Sequence, residues 1–261
     1  TVMKLLLGLL EGEGDVLVDG VRVSRDTLPE IRRKLGFVLQ NSDNQMFMPT
    51  VYEDMIFAPL NYGLSREEAE KRVDDILRKL GLQELKHRHN HKISGGEKRM
   101  AAIATILAME PEAVLMDEPS SALDPFNRRL VINTIRELRE TRLLTSHDLD
   151  MILDTCRRVI LLSGGRIAAD GPADRILRDK ALLEAHRMEL PFRLFANLQI
   201  EILRFAKPGQ SVLRQPVFTL YQPWATRCSP TLNTSPAPTV RMMSPGLASC
   251  FSAFSSWGKS G

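Results

Sequence analysis

The sequence predicts an α/β fold in which a mostly parallel sheet is flanked by helices. Short β-rich runs alternate with longer segments of helical periodicity through residues 1–195, as they do in α/β domains. The chain has 261 residues, of which 43% are hydrophobic and 26% charged, so it is long enough to bury a sizeable core. The candidate strands are 15–20, 36–40, 113–117, 142–146, 158–162 and 165–170.

The second, third and fourth of these runs are apolar and lead directly to a polar residue. In an open parallel sheet the ligand crevice lies beyond the carboxyl ends of the strands. We therefore expect Gln40, Asp117 and His147 to emerge on the same edge of the sheet.

Capping residues mark the boundaries of three helices. Ser65 with Glu68 three residues later is a capping-box pattern, and Gly81 ends the periodic segment that follows, so we expect a helix between them. A second helix is expected at about 97–109. A third is expected after Asp124, where the next residue is a proline, which the first helical turn tolerates.

The composition changes near residue 200. The whole chain has a net charge of +3, but six basic and no acidic residues follow Glu201, so the part before it is mildly acidic. We therefore expect no binding of nucleic acid. Seven of the fifteen prolines lie beyond residue 205, where periodicity is weak. We expect residues 196–261 to be disordered or non-native and assign them no function.

No apolar run reaches the roughly 18 residues that suggest a membrane span. The apolar start TVMKLLLGLL continues into EGEGD without a cleavage-site pattern, so we expect a buried helix there rather than a signal peptide. The cysteines Cys156, Cys228 and Cys250 have no paired spacing, which argues against disulfides or a zinc site. These observations predict a cytosolic protein.

Three linked segments carry the strongest functional signal. SGGEKRMAAIATIL (94–107) is followed by AVLMDEPSSALDP (113–125) and then by TSHD (145–148). In this order and spacing they resemble the signature, Walker B, D-loop and switch-histidine motifs of the ATP-binding cassette (ABC) ATPases. The resemblance implies a P-loop NTPase core with a small helical subdomain at about 48–108. It also implies ATP and Mg²⁺ as cofactors and ATP hydrolysis as the activity.

Ser94, Gly95 and Gly96 stand where a helix is expected to begin. Free backbone N–H groups and the positive end of the helix dipole bind phosphate at such a position, and glycine lets the backbone approach closely. The alternative is a serine-capped helix start without a ligand. With the resemblance, these three residues and Glu97 are expected to bind ATP.

The other candidate site residues take their roles from the same resemblance. Asp117 ends a buried strand and is expected to hold Mg²⁺, and Glu118 is expected to be the general base for the attacking water. Gln40 matches the glutamine that contacts the metal or the water. His147 matches the switch histidine at the γ-phosphate. Asp124 matches the D-loop aspartate at the nucleotide and also suits a helix start.

The segment GFVLQNSDNQMFMPTVYEDMIFAPLNYGL (36–64) is similar to the ATPases of cobalt and nickel importers and of energy-coupling factor vitamin importers, and the similarity continues to residue 192. It implies a homodimer or a heterodimer of paralogous ATPase subunits. This dimer would dock on an integral membrane subunit at the cytoplasmic face of the membrane. Met46, Phe47 and Met48 are expected to line the groove for that subunit or to belong to the core of the helical subdomain.

The 261 residues contain no G-x-x-x-x-G-K-[ST] pattern, and the chain begins TVMKLLLG, which matches the segment after this motif in the family. We expect residues 1–195 to be an ATPase domain without its first strands and Walker A loop, as in a truncated gene model rather than a circular permutation. Because that loop supplies N–H groups and a lysine for the phosphates, its absence is expected to weaken ATP binding about a hundredfold or more. The alternative function is a non-catalytic subunit that docks on a membrane protein.

Overall fold

The computed structural model describes residues 2–194 and the backbone of residues 239–242. The tail that was expected to be disordered or non-native lies outside the described residues, apart from those four. These four form a strand that pairs in parallel with the first strand of the chain, with Asp15 opposite Thr239 and Val18 opposite Met242.

The described strands form three sheets. They are β1 (Asp15–Val18), β2 (Val21–Arg22), β3 (Leu35–Val38), β4 (Ala113–Asp117), β5 (Thr141–Thr145), β6 (Arg158–Ser163), β7 (Arg166–Pro172) and β8 (Thr239–Met242). In the first sheet β1 lies between β2 and β8, and in the second β4 lies between β3 and β5. The third is an antiparallel pair of β6 and β7.

The sheet of β3, β4 and β5 is parallel and carries the predicted functional edge. Leu115 lies opposite Phe37 on one side and Leu143 on the other. The middle of β4 is completely buried, as expected for a central parallel strand covered on both faces. The three apolar runs are therefore strands of one parallel sheet, as predicted, and the structure shows that they are neighbours. The strand β3 ends at Val38, two residues before Gln40.

The helices that lie wholly within residues 2–194 surround these sheets. They are α1 (Val2–Leu6), α2 (Leu28–Lys34), α3 (Val51–Asn61), α4 (Arg66–Leu80), α5 (Gly95–Leu107), α6 (Pro125–Glu137), α7 (Leu149–Thr155), α8 (Ala173–Ile176) and α9 (Lys180–Ala185). Within this part of the chain, none of them is both long enough and apolar enough to cross a membrane.

Capping residues explain where α4 begins and ends. Ser65 accepts from the Glu68 N–H, and the Glu68 carboxylate accepts from the Ser65 N–H at 3.0 Å. Gly81 follows the helix with a φ of +68°, a left-handed conformation that glycine adopts without strain. The residues that α4 buries are spaced four apart on one face, and they are Ala69, Val73 and Leu77.

Two hydrophobic clusters form the core of the described residues. The larger cluster joins α3, α4 and α5 to β4 and α6. The smaller one includes Met3 and Leu6 of α1 together with Ile31 of α2 and Leu115 of β4. The apolar N-terminal run is therefore a short buried helix, as predicted.

Candidate functional site

Asp117 is the last residue of β4 and lies opposite Thr145 at the end of β5. The Thr145 hydroxyl donates to Asp117 Oδ1 at 2.5 Å. Within residues 2–194, no three His, Cys, Asp or Glu side chains are grouped so that they could hold a metal ion. Mg²⁺ is often bound by one or two carboxylates together with substrate phosphates, so the single carboxylate of Asp117 fits that role.

Glu118 follows Asp117 and is buried, with 8% of its surface exposed. Its φ of +49° is left-handed, which costs a non-glycine residue on the order of 1 kcal/mol or more and persists only where the surroundings fix it. Here the Glu118 N–H donates to the Thr145 carbonyl at 2.9 Å. This bond anchors the turn after β4 to the end of β5.

The Glu118 carboxylate contacts two residues that follow β5. The Ser146 hydroxyl donates to Oε2 at 3.2 Å, and His147 Nδ1 lies 3.0 Å from Oε1. Burial raises the pKa of the Glu118 carboxyl above its ordinary value, although His147 and Ser146 act in the opposite direction. A higher pKa makes the carboxylate a stronger base near neutral pH. The His147 side chain is 83% exposed, so most of its ring is open to a ligand.

Asp148 connects the histidine segment to α6. Its two carboxylate oxygens accept from the Arg128 guanidinium at 2.6 and 2.7 Å, and Oδ2 also accepts from the Ser120 hydroxyl at 3.0 Å. Burial raises the pKa of Asp148, but the hydrogen bonds from Arg128 and from the Met151 N–H outweigh it, so the pKa lies below its ordinary value. The residue next to His147 is therefore held in place as an ionised carboxylate.

The start of α5 combines a helix cap with free donors. The Ser94 hydroxyl accepts from the Glu97 N–H at 3.2 Å, and the Glu97 carboxylate accepts from the Ser94 N–H at 2.7 Å. This bonding to Ser94 lowers the pKa of Glu97. The N–H groups of Gly95 and Gly96 have no hydrogen-bond partner among the described residues. The serine cap therefore leaves two donors for an anion at the positive end of the helix.

Gly96 is packed against Asn127 of α6. A Cβ on Gly96 would lie 2.1 Å from Asn127 Cγ, whereas a Cβ on Gly95 would meet nothing within 4 Å. Asp124 caps α6 by accepting from the Phe126 and Asn127 N–H groups at 3.0 Å, and it also accepts from the Asn127 amide. The bond from the Asn127 N–H is the main cause of the lowered pKa of Asp124. The starts of α5 and α6 therefore meet at Asn127.

Gln40 lies in an exposed bend after β3. Its main-chain carbonyl accepts from the Arg99 guanidinium of α5. Its side-chain amide has no hydrogen-bond partner within residues 2–194. The backbone of Gln40 is therefore fixed, while its side chain remains available for a ligand.

The apolar residues after Gln40 divide between the core and the surface. Met46 is 7% exposed and belongs to the larger core cluster, whereas Phe47 is 65% exposed. The Phe47 ring packs edge-on against Phe57 of α3, with centroids 5.2 Å apart. Met48 is half-buried. Met46 therefore takes the core role, and Phe47 and Phe57 form an exposed aromatic pair.

Asp54 of α3 fixes the backbone below this aromatic pair. It is 2% exposed, and Oδ1 accepts from the Phe47 and Met48 N–H groups at 3.2 and 3.1 Å. The Asn90 amide donates to Oδ2. Burial raises the pKa of Asp54 despite these three donors. No basic side chain within the described residues forms an ion pair with Asp54. The three hydrogen-bond donors are therefore the groups that stabilise its ionised form.

Sequence motifs did not single out the residues that support the site. Thr145 and Ser146 are within TSHD, and Arg99 is within SGGEKRM, but neither segment shows which atoms these side chains contact. Arg128 stands four residues after Asp124, a spacing that places both on one helix face. The signal for Asp54 was its position directly before the apolar run MIFAPL at 55–60.

Comparisons with known proteins agree with this geometry. Residues 1–121 match the ABC transporter family. GSU1281 of Geobacter sulfurreducens, which bears the name of an ABC transporter ATP-binding protein, is 46% identical over 181 residues, 69% of this chain and 73% of that protein. The energy-coupling factor transporter ATP-binding protein EcfA of Methanothermobacter thermautotrophicus is 43% identical over 197 residues, 73% of this chain and 63% of that protein.

Solved structures show the same fold. CbiO1 from Clostridium perfringens, part of the ABC transporter complex cbiONQ, superposes with a TM-score of 0.63 and 30% identity over 76% of this chain and 81% of that chain. A dimeric ATP-binding cassette in a post-hydrolysis state, bound to ADP and Pi, superposes with a TM-score of 0.59. Its sequence identity is 26%, and the match covers 66% of this chain and 79% of that chain. The chain therefore belongs to the ATP-binding subunits of ABC transporters, a family of ATP-binding and ATP-hydrolysing cassettes. The predicted fold class is confirmed.

Proposed function

We propose that this chain is the ATP-hydrolysing subunit of an importer for cobalt, nickel or a vitamin. The observation that carries the proposal is the group of Asp117, Glu118 and His147 at the ends of β4 and β5, where a buried carboxylate lies 3.0 Å from the histidine. Similarity to EcfA and to cbiO1, a component of a transporter complex, supports the importer class.

In the proposed reaction, Glu118 accepts a proton from the attacking water. Its burial and raised pKa suit a base at neutral pH. His147 lies beside the base and would contact the γ-phosphate, and Gln40 would contact the water or the metal. Asp117 would hold Mg²⁺, which would supply positive charge to neutralise the phosphates.

The start of α5 would serve the nucleotide held by a second subunit, arranged head to tail. Gly95 and Gly96 offer free N–H donors to its phosphate oxygens. Ser94 and Glu97 hold the helix start in shape through the capping box. Asp124 fixes Asn127, which packs against Gly96. The second subunit is a copy of this chain or a paralogue.

The exposed pair of Phe47 and Phe57 would receive a helix of the integral membrane subunit, at the cytoplasmic face of the membrane. Two neighbouring exposed aromatic rings provide apolar area of the kind that interfaces bury. Asp54 keeps the backbone of Phe47 in a fixed position, so the surface is formed before the partner arrives.

A nucleotide-binding experiment tests the proposal. The 261 residues contain no G-x-x-x-x-G-K-[ST] pattern, so the 261-residue chain is compared with an extended chain in which a family-type Walker A strand and loop precede Thr1. We expect the extended chain to bind a fluorescent ATP analogue and to hydrolyse Mg-ATP, and the 261-residue chain to bind about a hundredfold more weakly. Asp117→Asn in the extended chain is the matched control and should abolish the Mg²⁺ dependence.

A negative result with the extended chain would reject the hydrolytic role. If Mg-ATP leaves the melting temperature of the extended chain unchanged and no phosphate is released, the hydrolytic role is wrong. The alternative of a non-catalytic subunit that docks on a membrane protein would then be favoured.

A further inference from the structure

Arg99 is a buried arginine without a carboxylate partner. It is 4% exposed, and within residues 2–194 no Asp or Glu forms an ion pair with it. Its Nη1 donates to the Leu39 carbonyl at 2.6 Å, and its Nη2 donates to the Gln40 carbonyl. Its Nε is buried without a hydrogen-bond partner among the described residues. Burial lowers the pKa of its guanidinium.

This arrangement is unfavourable for stability alone. A buried charge that lacks an opposite charge loses hydration that carbonyl dipoles only partly replace. An apolar side chain of similar length would fill the same space without that cost. The planar fork of a guanidinium, however, presents parallel donors that match two consecutive carbonyl oxygens.

Two further contacts hold the same loop to α5. The Gln45 side chain accepts from the Leu39 N–H at 3.0 Å and donates to the Ala102 carbonyl at 2.8 Å. Lys98 pairs with Asp43. The loop from residue 39 to 45 is therefore fastened to the first two turns of α5, immediately after Ser94–Gly96, and Arg99 makes its contacts at Gln40 itself.

We propose that Arg99 is a positioning residue that fixes the main chain of Gln40 to the start of α5. The Gln40 side chain and the N–H groups of Gly95 and Gly96 then keep one relative position. This inference rests on the proposed function of Gln40 and of the α5 start. In the head-to-tail dimer the two groups face different nucleotides, so Arg99 links the two nucleotide sites through one chain.

Hydrogen exchange on the nucleotide-free 261-residue chain tests the clamp without any catalysis. The amides of Asn44, Gln45 and Met46 bond to carbonyls within the loop and report whether it is held. We expect Arg99→Met to speed their exchange about tenfold, and Arg99→Lys to have an intermediate effect. Ile103→Val, a buried change on the same helix, is the control for a general loss of stability and should leave these amides unchanged.

Steady-state hydrolysis by the extended chain tests the consequence for Gln40. Because misplacing a catalytic group by about 1 Å can cost two orders of magnitude, we expect Arg99→Met to lower kcat about tenfold or more. The Kd for ATP should change less than about threefold, with partial rescue by Arg99→Lys.

Each contrary result rejects the inference differently. If Arg99→Met exchanges like the wild type, or Ile103→Val exchanges as fast as Arg99→Met, then Arg99 does not hold the loop. If exchange rises but kcat does not fall, the clamp does not position Gln40 for hydrolysis. If the unsubstituted extended chain hydrolyses nothing, the proposed function fails, and with it the catalytic meaning of the clamp, while the exchange result still decides whether Arg99 holds the loop.

Discussion

At the scale of single residues, Glu118 combines properties that are individually unfavourable. Its carboxylate is buried, and its backbone is left-handed. Both costs are tolerated because Thr145, Ser146 and His147 hold the residue from β5 and the segment after it. Strain and burial of this kind concentrate at functional sites, which agrees with the role proposed for Glu118.

Replacing Glu118 by glutamine removes the base and keeps the shape of the side chain. In the extended chain we expect Glu118→Gln to lower kcat for ATP hydrolysis by about a hundredfold or more and to leave ATP binding nearly unchanged. Phosphate release and fluorescent-nucleotide titration measure the two effects. Ser146→Ala removes one hydrogen bond to the carboxylate and the acceptor of the Asp148 N–H, but it keeps the base and should reduce kcat far less. Equal losses from both substitutions would contradict a proton-accepting role.

The same carboxylate predicts a dependence of stability on pH. Because burial raises the pKa of Glu118 above its ordinary value of 4.5, the folded chain binds this proton more tightly than the unfolded chain. The stabilisation is complete below pH 4.5 and is lost as the pH rises through the folded pKa. The wild type should therefore lose melting temperature relative to Glu118→Gln as the pH rises from 4.5 to 8, because glutamine does not titrate. A constant difference across that range would show that Glu118 is not perturbed.

Gly95 and Gly96 provide a matched pair of substitutions. A side chain at Gly96 would collide with Asn127, whereas the space at Gly95 is open. We expect Gly96→Ala to destabilise the fold by about 1–3 kcal/mol, as overpacking does. Gly95→Ala should leave stability unchanged or slightly higher, because alanine favours helix. Urea denaturation measures both, and a similar loss in the two variants would contradict the packing described here.

At the scale of elements, Asp54 holds α3 to two loops. Its carboxylate accepts from the Phe47 and Met48 N–H groups and from the Asn90 amide. Asp54→Ala leaves the Phe47 and Met48 N–H groups without an acceptor, and the Asn90 amide keeps only the Met48 carbonyl. We therefore expect a loss of about 2–4 kcal/mol in the free energy of unfolding. Asp75→Ala on α4 removes an exposed carboxylate paired with Arg78 and should change stability by less than about 0.5 kcal/mol. Comparable losses in urea denaturation would show that the Asp54 contacts add no stability.

Local sequence signals were sufficient to predict some helices and insufficient to predict others. The start and end of α4 and the starts of α5 and α6 could be recognised from Ser65, Gly81, Ser94 and Asp124, because these residues act within a single turn. The helix α3 was not predicted, although Thr50 and Glu53 form a capping box there. Its apolar residues give no clear helical stripe, because Phe57 and Leu60 are apolar but exposed, whereas Asp54 is charged but buried.

The sequence likewise predicted some residues of the site and missed others. The sequence predicted that Asp117, Glu118 and His147 lie at one edge of the sheet, because parallel strands bring their carboxyl ends together. The supporting contacts of Arg128 with Asp148 and of Arg99 with Gln40 join residues 20 and 59 positions apart. Such contacts depend on how helices pack against the sheet, and no local pattern in one sequence specifies that packing.

At the scale of the whole molecule, the proposed dimer predicts complementation between two defective chains. Gly95→Asp in the extended chain adds a negative charge at the anion site without a steric clash, so its homodimer should be inactive. Adding the 261-residue chain supplies an intact Ser94–Gly96 and should restore hydrolysis. The 261-residue chain carrying Gly95→Asp is the control and should restore none. Absence of turnover in the first mixture, measured by phosphate release, would argue against a shared nucleotide site.

The contact between Gly96 and Asn127 has a consequence for how this sequence can change over generations. Alanine at position 96 would collide with the Asn127 amide, so it is accepted at a lower cost once a smaller residue occupies position 127. That first step itself removes the amide bond to Asp124. The two positions are therefore not free to drift independently, and descendants of this chain should alter residue 127 before residue 96 more often than the reverse.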